Sequence, residues 1–161
     1  MRNRKSQKPE PRGSGVYVEN RAGRRGVPTA KSFEGWVGAV LRRQRKRTRQ
    51  VNIALFDSRK ARAINKQFRG KDYATNVLSF AYEPLPGERT NLLGDLVICP
   101  AVVAREAREQ GKRVRDHFAH LTVHGVLHLL GYDHETQADA QRMESLEVRI
   151  LAGLGIANPY E

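Results

Sequence analysis

The first half of the chain alternates between apolar patterns of helical period and of strand period. From Ser32, apolar residues recur at i, i+3, i+4, i+7 and i+8, which predicts an amphipathic helix. A second helix is predicted after Asp57 or Ser58, with Ala61, Ile64 and Phe68 on its inner face. Short runs of strand-forming residues predict four strands, near residues 16–18, 51–56, 76–82 and 94–99.

The second half of the chain has the period of helices alone. One helix is predicted from Pro100 to near Gly111, a second from about Val114 to Leu130, and a third before Gly153. The third helix directs Ala140, Met143, Leu146 and Ile150 inward. The whole pattern predicts an α+β fold, in which a roughly four-stranded mixed sheet is covered by helices.

Length and composition predict one domain with an N-terminal tail. The chain has 161 residues, enough for a single core. Residues 1–14 are polar and basic, which predicts a disordered tail before a domain at 15–161. The single cysteine, Cys99, excludes an internal disulfide and favours a reducing compartment. Because the sequence has neither an apolar run of membrane-spanning length nor a secretory signal, the expected location is cytoplasmic.

The window from His124 to His134, H-G-V-L-H-L-L-G-Y-D-H, has the spacing of a three-histidine metal site. His124 and His128 are four residues apart and therefore lie on one face of a helix. Gly131 can adopt the left-handed conformation that ends helices, so that the following turn delivers His134. Three neutral imidazoles suit Zn²⁺ and leave a fourth tetrahedral position for water, although Ni²⁺ and Co²⁺ suit imidazole ligands too. The metal-binding helix therefore lies in the C-terminal half.

The same window differs from the extended zincin pattern H-E-x-x-H-x-x-G-x-x-H at Gly125, where that pattern has glutamate. In zinc peptidases this glutamate is the general base, so its absence argues against peptide hydrolysis. A buried helix with core histidines is the alternative interpretation of the apolar run 121–130. His120 continues the i, i+4 series of His124 and His128. It can be a hydrogen-bonding partner of the ligands, a proton shuttle or a packing residue, whereas His117 is expected to be structural.

The charge of the chain predicts a polyanionic partner. Lys and Arg number 29 against 17 Asp and Glu, which gives a formal charge of +12 and a pI near 10.4. Such an excess favours nucleic acid. The basic residues near the end of the first helix also lie where cations complement the helix dipole, so part of this run can be structural.

The chain resembles the YbeY family of bacterial metallo-endoribonucleases that mature ribosomal RNA. The resemblance covers roughly residues 16–160, and the histidine window is its most specific part. Two further segments carry it, F-R-G-K-D at 68–72 leading to T-N-V-L-S-F at 75–80, and L-G-D-L-V-I-C at 93–99. Asn76 and Asp95 are polar residues inside these apparent strands. A cleft position and a hydrogen-bonded structural role are both open for them.

The resemblance implies a single-strand-specific, zinc-dependent endoribonuclease that acts in 16S rRNA 3′-end maturation and ribosome quality control. It implies one Zn²⁺ per chain on His124, His128 and His134, with Arg69 as the catalytic arginine near the metal. Arg69 suits this role because a guanidinium binds two phosphate oxygens at once. The implied partners are ribosomal RNA and a ribosomal subunit or assembly proteins.

Two other functions compete with this hypothesis. A non-catalytic, basic ribosome-assembly factor would hold a structural zinc ion, which normally has four protein ligands. Cys99 is the only sulfur ligand that could complete such a site. A zinc peptidase is disfavoured by Gly125 and by the basic composition.

Overall fold

A computed structural model describes residues 15–46 and 48–161. The tail predicted at 1–14 lies outside the described residues and stays a prediction. Within the described part, four strands and five helices follow one another in the chain. They are β1 (Val16–Asn20), α1 (Ala30–Arg43), β2 (Gln50–Leu55), α2 (Ser58–Arg69), β3 (Val77–Ala81), β4 (Leu92–Ile98), α3 (Pro100–Glu109), α4 (Val114–Leu129) and α5 (Gln137–Gly153).

The four strands form one mixed sheet in the order β1-β2-β4-β3. The β1–β2 and β2–β4 pairs are parallel, and their crossover connections contain helices, as parallel pairing requires. The β3–β4 pair is antiparallel, and its strands are joined by a loop at 82–91 that contains Pro84, Pro86 and Gly87. The predicted α+β fold with a four-stranded mixed sheet is therefore confirmed.

The main core lies on one face of this sheet. Val51, Ile53 and Leu55 alternate along β2 and are buried, whereas the residues between them point to the other face. Helices α1 and α4 cover the buried face, where the Phe33 and Phe118 rings pack edge to face with centroids 6.1 Å apart. Because α4 also contacts α3, α5 and β3, most of its residues are buried.

Helix α2 differs from its prediction. Asp57 caps it by accepting a hydrogen bond from the Lys60 amide, as expected. Of the three residues assigned to its inner face, only Ala61 is buried, and Phe68 is 57% exposed. The reason is that the open face of the sheet is only partly covered. Phe68 packs edge-on against Phe80 at the side of a groove of about 920 Å³ on that face.

In the described part of the chain, no helix is both long and apolar enough to cross a membrane.

Candidate metal centre

His124 and His128 lie one turn apart on α4, and their imidazoles converge. The two Nε2 atoms are 3.0 Å apart. The ring centroid of His134 lies 5.8 Å from that of His124 and 5.1 Å from that of His128. One nitrogen from each of the three rings falls within 4.8 Å of the others. The spacing in the sequence therefore places three potential ligand atoms around one point.

The end of α4 explains how His134 reaches this point. Gly131 has φ 98°, the left-handed conformation that the sequence predicted for it. The Gly131 amide donates to the His128 carbonyl, and the Tyr132 amide donates to the Leu127 carbonyl. These two bonds form a Schellman motif, which ends the helix and reverses the chain. The Tyr132 hydroxyl also donates to Gln44 at the end of α1, at 3.0 Å, and fixes the turn against a second helix.

The donor set fits a divalent metal ion. Burial lowers the pKa of His128 below its usual range, and the neighbouring His124 and His134 lower it further. His128 is thus neutral at pH 7, as a ligand must be. Tetrahedral zinc with Zn–N bonds of about 2.0–2.1 Å places its ligand nitrogens roughly 3.3 Å apart. The 3.0 Å separation of the two helical Nε2 atoms is already close to that value.

A carboxylate that the sequence analysis missed supports this cluster. Glu147 on α5 is completely buried, and its Oε1 accepts a hydrogen bond from Nδ1 of His124. Its Oε2 contacts His120 Nε2 at 3.2 Å and accepts from the Tyr160 hydroxyl. Burial opposes ionisation of Glu147, but the hydrogen bonds from His120 and His124 outweigh it and hold the pKa at about 2. Burial and the bond to Glu147 raise the pKa of Tyr160.

The two other histidines of α4 have partners of their own. His120 joins the Glu147 network, whereas His117 is buried and contacts Glu106 on α3 at 3.0 Å. Burial lowers the pKa of His117 despite this carboxylate. Asn76 also donates to Glu106, at 2.9 Å. His117 and Asn76 therefore share a carboxylate contact in the wall of the cleft.

Arg69 is the last residue of α2 and lines the same cleft of about 810 Å³ as the three histidines. Gly70, in the left-handed conformation with φ 71°, ends the helix directly after it. The Arg69 guanidinium donates to the Ser79 carbonyl at 2.9 Å and lies 5.1 Å from the centroid of the Phe80 ring. Lys71 and Lys112 line the cleft as well. The cleft thus combines convergent imidazoles with positive charge.

Asp95 does not take part in this cleft. It is exposed on the open face of the sheet, where it lines the groove beside Phe68.

Position 125 has no room for the glutamate of zinc peptidases. A Cβ atom at Gly125 would lie 2.8 Å from Cδ2 and 3.1 Å from Cδ1 of Leu96, a residue of β4 without solvent exposure. The Gly125 carbonyl accepts a hydrogen bond from Ser79 at 3.3 Å. Helix and sheet therefore approach each other closely at the place where a peptidase has its general base.

Cys99 lies in a small separate cluster with Ala61 and Val102, and its Sγ is 3.8 Å from the hydroxyl of Ser58. Among the described residues, the group of ligand atoms near one point contains the three histidines and no sulfur. This arrangement argues against a closed structural site that Cys99 would complete.

Comparison with known proteins identifies the family. The family described as "Endoribonuclease YbeY" matches residues 17–155. The chain belongs to the YbeY family. A relative from Stenotrophomonas maltophilia strain R551-3, named Endoribonuclease YbeY, is 57% identical over 141 residues, which cover 85% of this chain and 87% of the relative. A relative of the same name from Neisseria meningitidis serogroup C is 48% identical over 150 residues, which cover 91% and 87% of the two chains.

The fold agrees with this membership. The solution structure of TM1509 from Thermotoga maritima is similar to this chain with a TM-score of 0.56 and 25% sequence identity. The similarity covers 86% of this chain and 91% of that one. The YbeY resemblance found in the sequence is therefore confirmed. The roles of Arg69 and of the three histidines stay predictions.

Proposed function

We propose that this protein is a zinc-dependent endoribonuclease that cleaves single-stranded RNA in 16S rRNA 3′-end maturation and ribosome quality control. The observation that carries the proposal is the convergence of three imidazoles in a cleft that also contains Arg69. Family membership supports the reaction class, because the relatives are named endoribonucleases.

His124, His128 and His134 would hold the metal ion. A zinc ion bound there supplies a Lewis acid for a phosphoryl oxygen and makes hydroxide available near neutral pH. The protein's own residues prepare the site. Neutral His128 and the Glu147-bonded His124 already direct their Nε2 atoms toward one point. Little side-chain reorganisation is then needed when the ion binds.

Arg69 would bind the scissile phosphodiester. One of its N–H groups donates to the Ser79 carbonyl, which keeps the guanidinium near the cleft. A guanidinium has five N–H donors, so others stay available for two phosphate oxygens. Charge that develops on those oxygens in the transition state is stabilised by a cation held close to them. Lys71 and Lys112 add positive charge to the same cleft.

Two exposed aromatic residues support single-stranded RNA as the substrate. Tyr73 and Tyr160 line the cleft and are 54% and 48% exposed. Unpaired bases stack on such rings, whereas bases inside a duplex are already stacked on one another.

The ribosomal setting rests on the family resemblance and on the net charge of +12. A basic protein is attracted to the phosphates of ribosomal RNA. The cytoplasm is the proposed location, because a single buried cysteine suits a reducing compartment.

The test combines metal content with cleavage of a labelled ribosomal RNA fragment. Unaltered protein should carry about one zinc per chain and cut unpaired regions, whereas His128→Ala should lose both zinc and cleavage. Cys99→Ser is the matched control and should retain both. Chelation should abolish cleavage by the unaltered protein, and zinc should restore it.

Equal cleavage by the unaltered protein and a folded, zinc-free His128→Ala protein would overturn the proposal. If the unaltered protein binds zinc and RNA but does not cut, the alternative of a non-catalytic assembly factor replaces it.

A further inference from the structure

Glu147 is unusual because it is a carboxylate without solvent exposure in the apolar interface between α4 and α5. Its neighbours on the buried side of α5 are Met143, Ile150 and Leu151. A buried charge in such surroundings is costly unless it is hydrogen-bonded. Within residues 15–46 and 48–161, Glu147 meets this condition through three side chains of the cleft, namely His124, His120 and Tyr160.

The chemistry of these contacts fixes where the protons are. An ionised carboxylate only accepts hydrogen bonds, so each partner must present a hydrogen to it. His124 therefore carries its proton on Nδ1. In a neutral imidazole the other nitrogen is then a bare acceptor. That nitrogen is Nε2, the atom that lies 3.0 Å from Nε2 of His128.

We propose that Glu147 is the positioning residue of the metal centre, which holds His124 in the tautomer and orientation that present Nε2 to a metal ion. This inference rests on the proposed function, since it concerns the same three histidines. Glu147 acts through His124 and is not itself a ligand. Its Oε1 is committed to Nδ1 of His124, on the side of the ring away from the convergence point.

His120 and Tyr160 complete the arrangement by holding the carboxylate. Both contact Oε2, whereas Oε1 is the atom that contacts His124. Tyr160 lies 40 positions after His120 in the chain and reaches Glu147 from the C-terminal segment. The backbone of that segment is fastened by Lys112, whose Nζ donates to the Pro159 carbonyl at 2.7 Å. The orientation of one ligand thus depends on α5 and on the C-terminal segment.

A glutamine cannot replace Glu147 without loss. Its side chain has one acceptor oxygen and an NH₂ group that only donates. Three donors face this position, so at least one of them would meet the NH₂ group. Methionine has a similar shape and removes the acceptors altogether. Methionine also adds no polar atom that would need a partner of its own, so Glu147→Met tests the loss of the acceptors, provided that the variant is shown to fold.

The experiment measures Zn²⁺ affinity by competition with a chromophoric chelator, without RNA. Glu147→Met should bind Zn²⁺ about 10- to 100-fold more weakly than the unaltered protein, which is the usual effect of removing the partner of a metal-bound histidine. The Zn²⁺ affinity of Glu147→Gln should lie between those of Glu147→Met and the unaltered protein. Tyr160→Phe should cause a smaller loss, since both imidazole contacts remain. Gln141→Met, at an exposed position of α5, is the matched control and should leave affinity unchanged.

A second measurement separates positioning from a general role in stability. Nitrogen-15 NMR of the metal-free imidazoles should show His124 protonated on Nδ1 in the unaltered protein and in Gln141→Met. Glu147→Met should lose this single tautomer, while circular dichroism shows that it is folded.

The proposal is overturned if folded Glu147→Met binds Zn²⁺ as tightly as the unaltered protein, or if its His124 keeps the proton on Nδ1. Failure of the unaltered protein to cleave RNA would overturn the proposed function instead. It would not affect the comparison of Zn²⁺ affinities among the variants, because these are measured without RNA.

Discussion

The histidine side of the cleft and its Arg69 side are built in different ways. His124 is half-buried and is fastened through Glu147 to α5 and the C-terminal segment. Arg69 is exposed, and it is held by one carbonyl and the face of one ring. The comparison teaches that the groups expected to bind a small ion are fixed in advance. The group expected to bind a flexible polyanion keeps freedom to adapt.

This difference follows from the size of the two ligands. A metal ion requires its ligand nitrogens at defined distances, so disorder among the imidazoles directly lowers affinity. A phosphodiester within a single strand is presented in many orientations, and an exposed guanidinium can follow it. Variants on each side should therefore have separable effects.

The largest effect is expected for His134→Ala. His134 is exposed and lies beyond the end of α4, so its removal should leave the melting temperature unchanged. Zn²⁺ affinity should fall by more than about 100-fold, because losing a ligand exceeds the effect of losing a ligand's partner. RNA cleavage should be lost with it. Scanning calorimetry of the metal-free protein checks the melting temperature, and chelator competition checks the Zn²⁺ affinity. A large drop in the melting temperature would contradict this account of the histidine side.

The next largest effect is expected for Arg69→Ala, which changes the Arg69 side of the cleft and leaves the histidine side unaltered. Zinc content should be unchanged, while kcat/KM for RNA falls by about 10²–10³, as for loss of a donor to a charged transition state. Arg69→Lys should retain only part of the kcat/KM of the unaltered protein, because an ammonium group cannot form the bidentate hydrogen bonds of a guanidinium. Arg59→Ala, an exposed arginine in the first turn of α2, is the matched control. Loss of zinc in Arg69→Ala would show that the two sides are not separable.

A smaller effect, on stability alone, is expected at the contact between α4 and the sheet. Gly125→Ala should lower the free energy of unfolding by about 1–3 kcal/mol, because its Cβ would overlap Leu96 in the core. Gly35→Ala makes the same change within α1, where no atom lies within 4 Å of the added Cβ. It should raise the free energy of unfolding by about 0.5–1 kcal/mol. Urea denaturation of the two variants checks the opposite signs; equal signs would contradict the close approach at Gly125.

The smallest effect is expected at the basic end of α1. Arg42 and Arg43 are exposed and take no part in the ion pairs of the described residues. The double change to glutamine should weaken RNA binding a few-fold and lower the salt slope by about 0.7 for each RNA phosphate that these arginines neutralise. Zinc binding should not change. The same double change at Arg24 and Arg25 removes equal charge from the loop before α1, and an identical weakening there would assign the effect to net charge alone.

Local patterns were sufficient to predict the convergence of the histidines. The i, i+4 spacing depends only on the geometry of one helix, and the turn at Gly131 depends on the four residues around it. Predicting that these three imidazoles converge therefore required no knowledge of the tertiary structure. The mixed sheet was predicted in class but not in order, because the position of β4 between β2 and β3 is a long-range property.

Glu147 was missed because its partner His124 lies 23 positions earlier in the chain. The predicted inward face of α5 was Ala140, Met143, Leu146 and Ile150, and no charged residue was considered for it. A signal was present: Glu147 follows Met143 by four residues and precedes Ile150 by three, so it falls on the apolar stripe. A charged residue on such a stripe indicates a buried partner.

The prediction for Phe68 was wrong for a related reason. Helical period alone cannot show that α2 covers only part of a sheet face, and only Ala61 and Asn65 of this helix are buried. The buried side-chain amide of Asn65 has a hydrogen-bond partner, because it donates to the Tyr73 carbonyl at 2.8 Å.

The link between Tyr160 and His124 also has a consequence for the order in which the chain is synthesised. His124 leaves the ribosome before α5, and α5 leaves before Tyr160, so the carboxylate and the phenol arrive after the ligand they position. A nascent chain that ends before Glu147 has the helical histidines but no partner from α5 to orient them. The network around Glu147 can form only after translation has passed Tyr160, so the candidate metal centre stays incomplete while the earlier parts of the protein are being made.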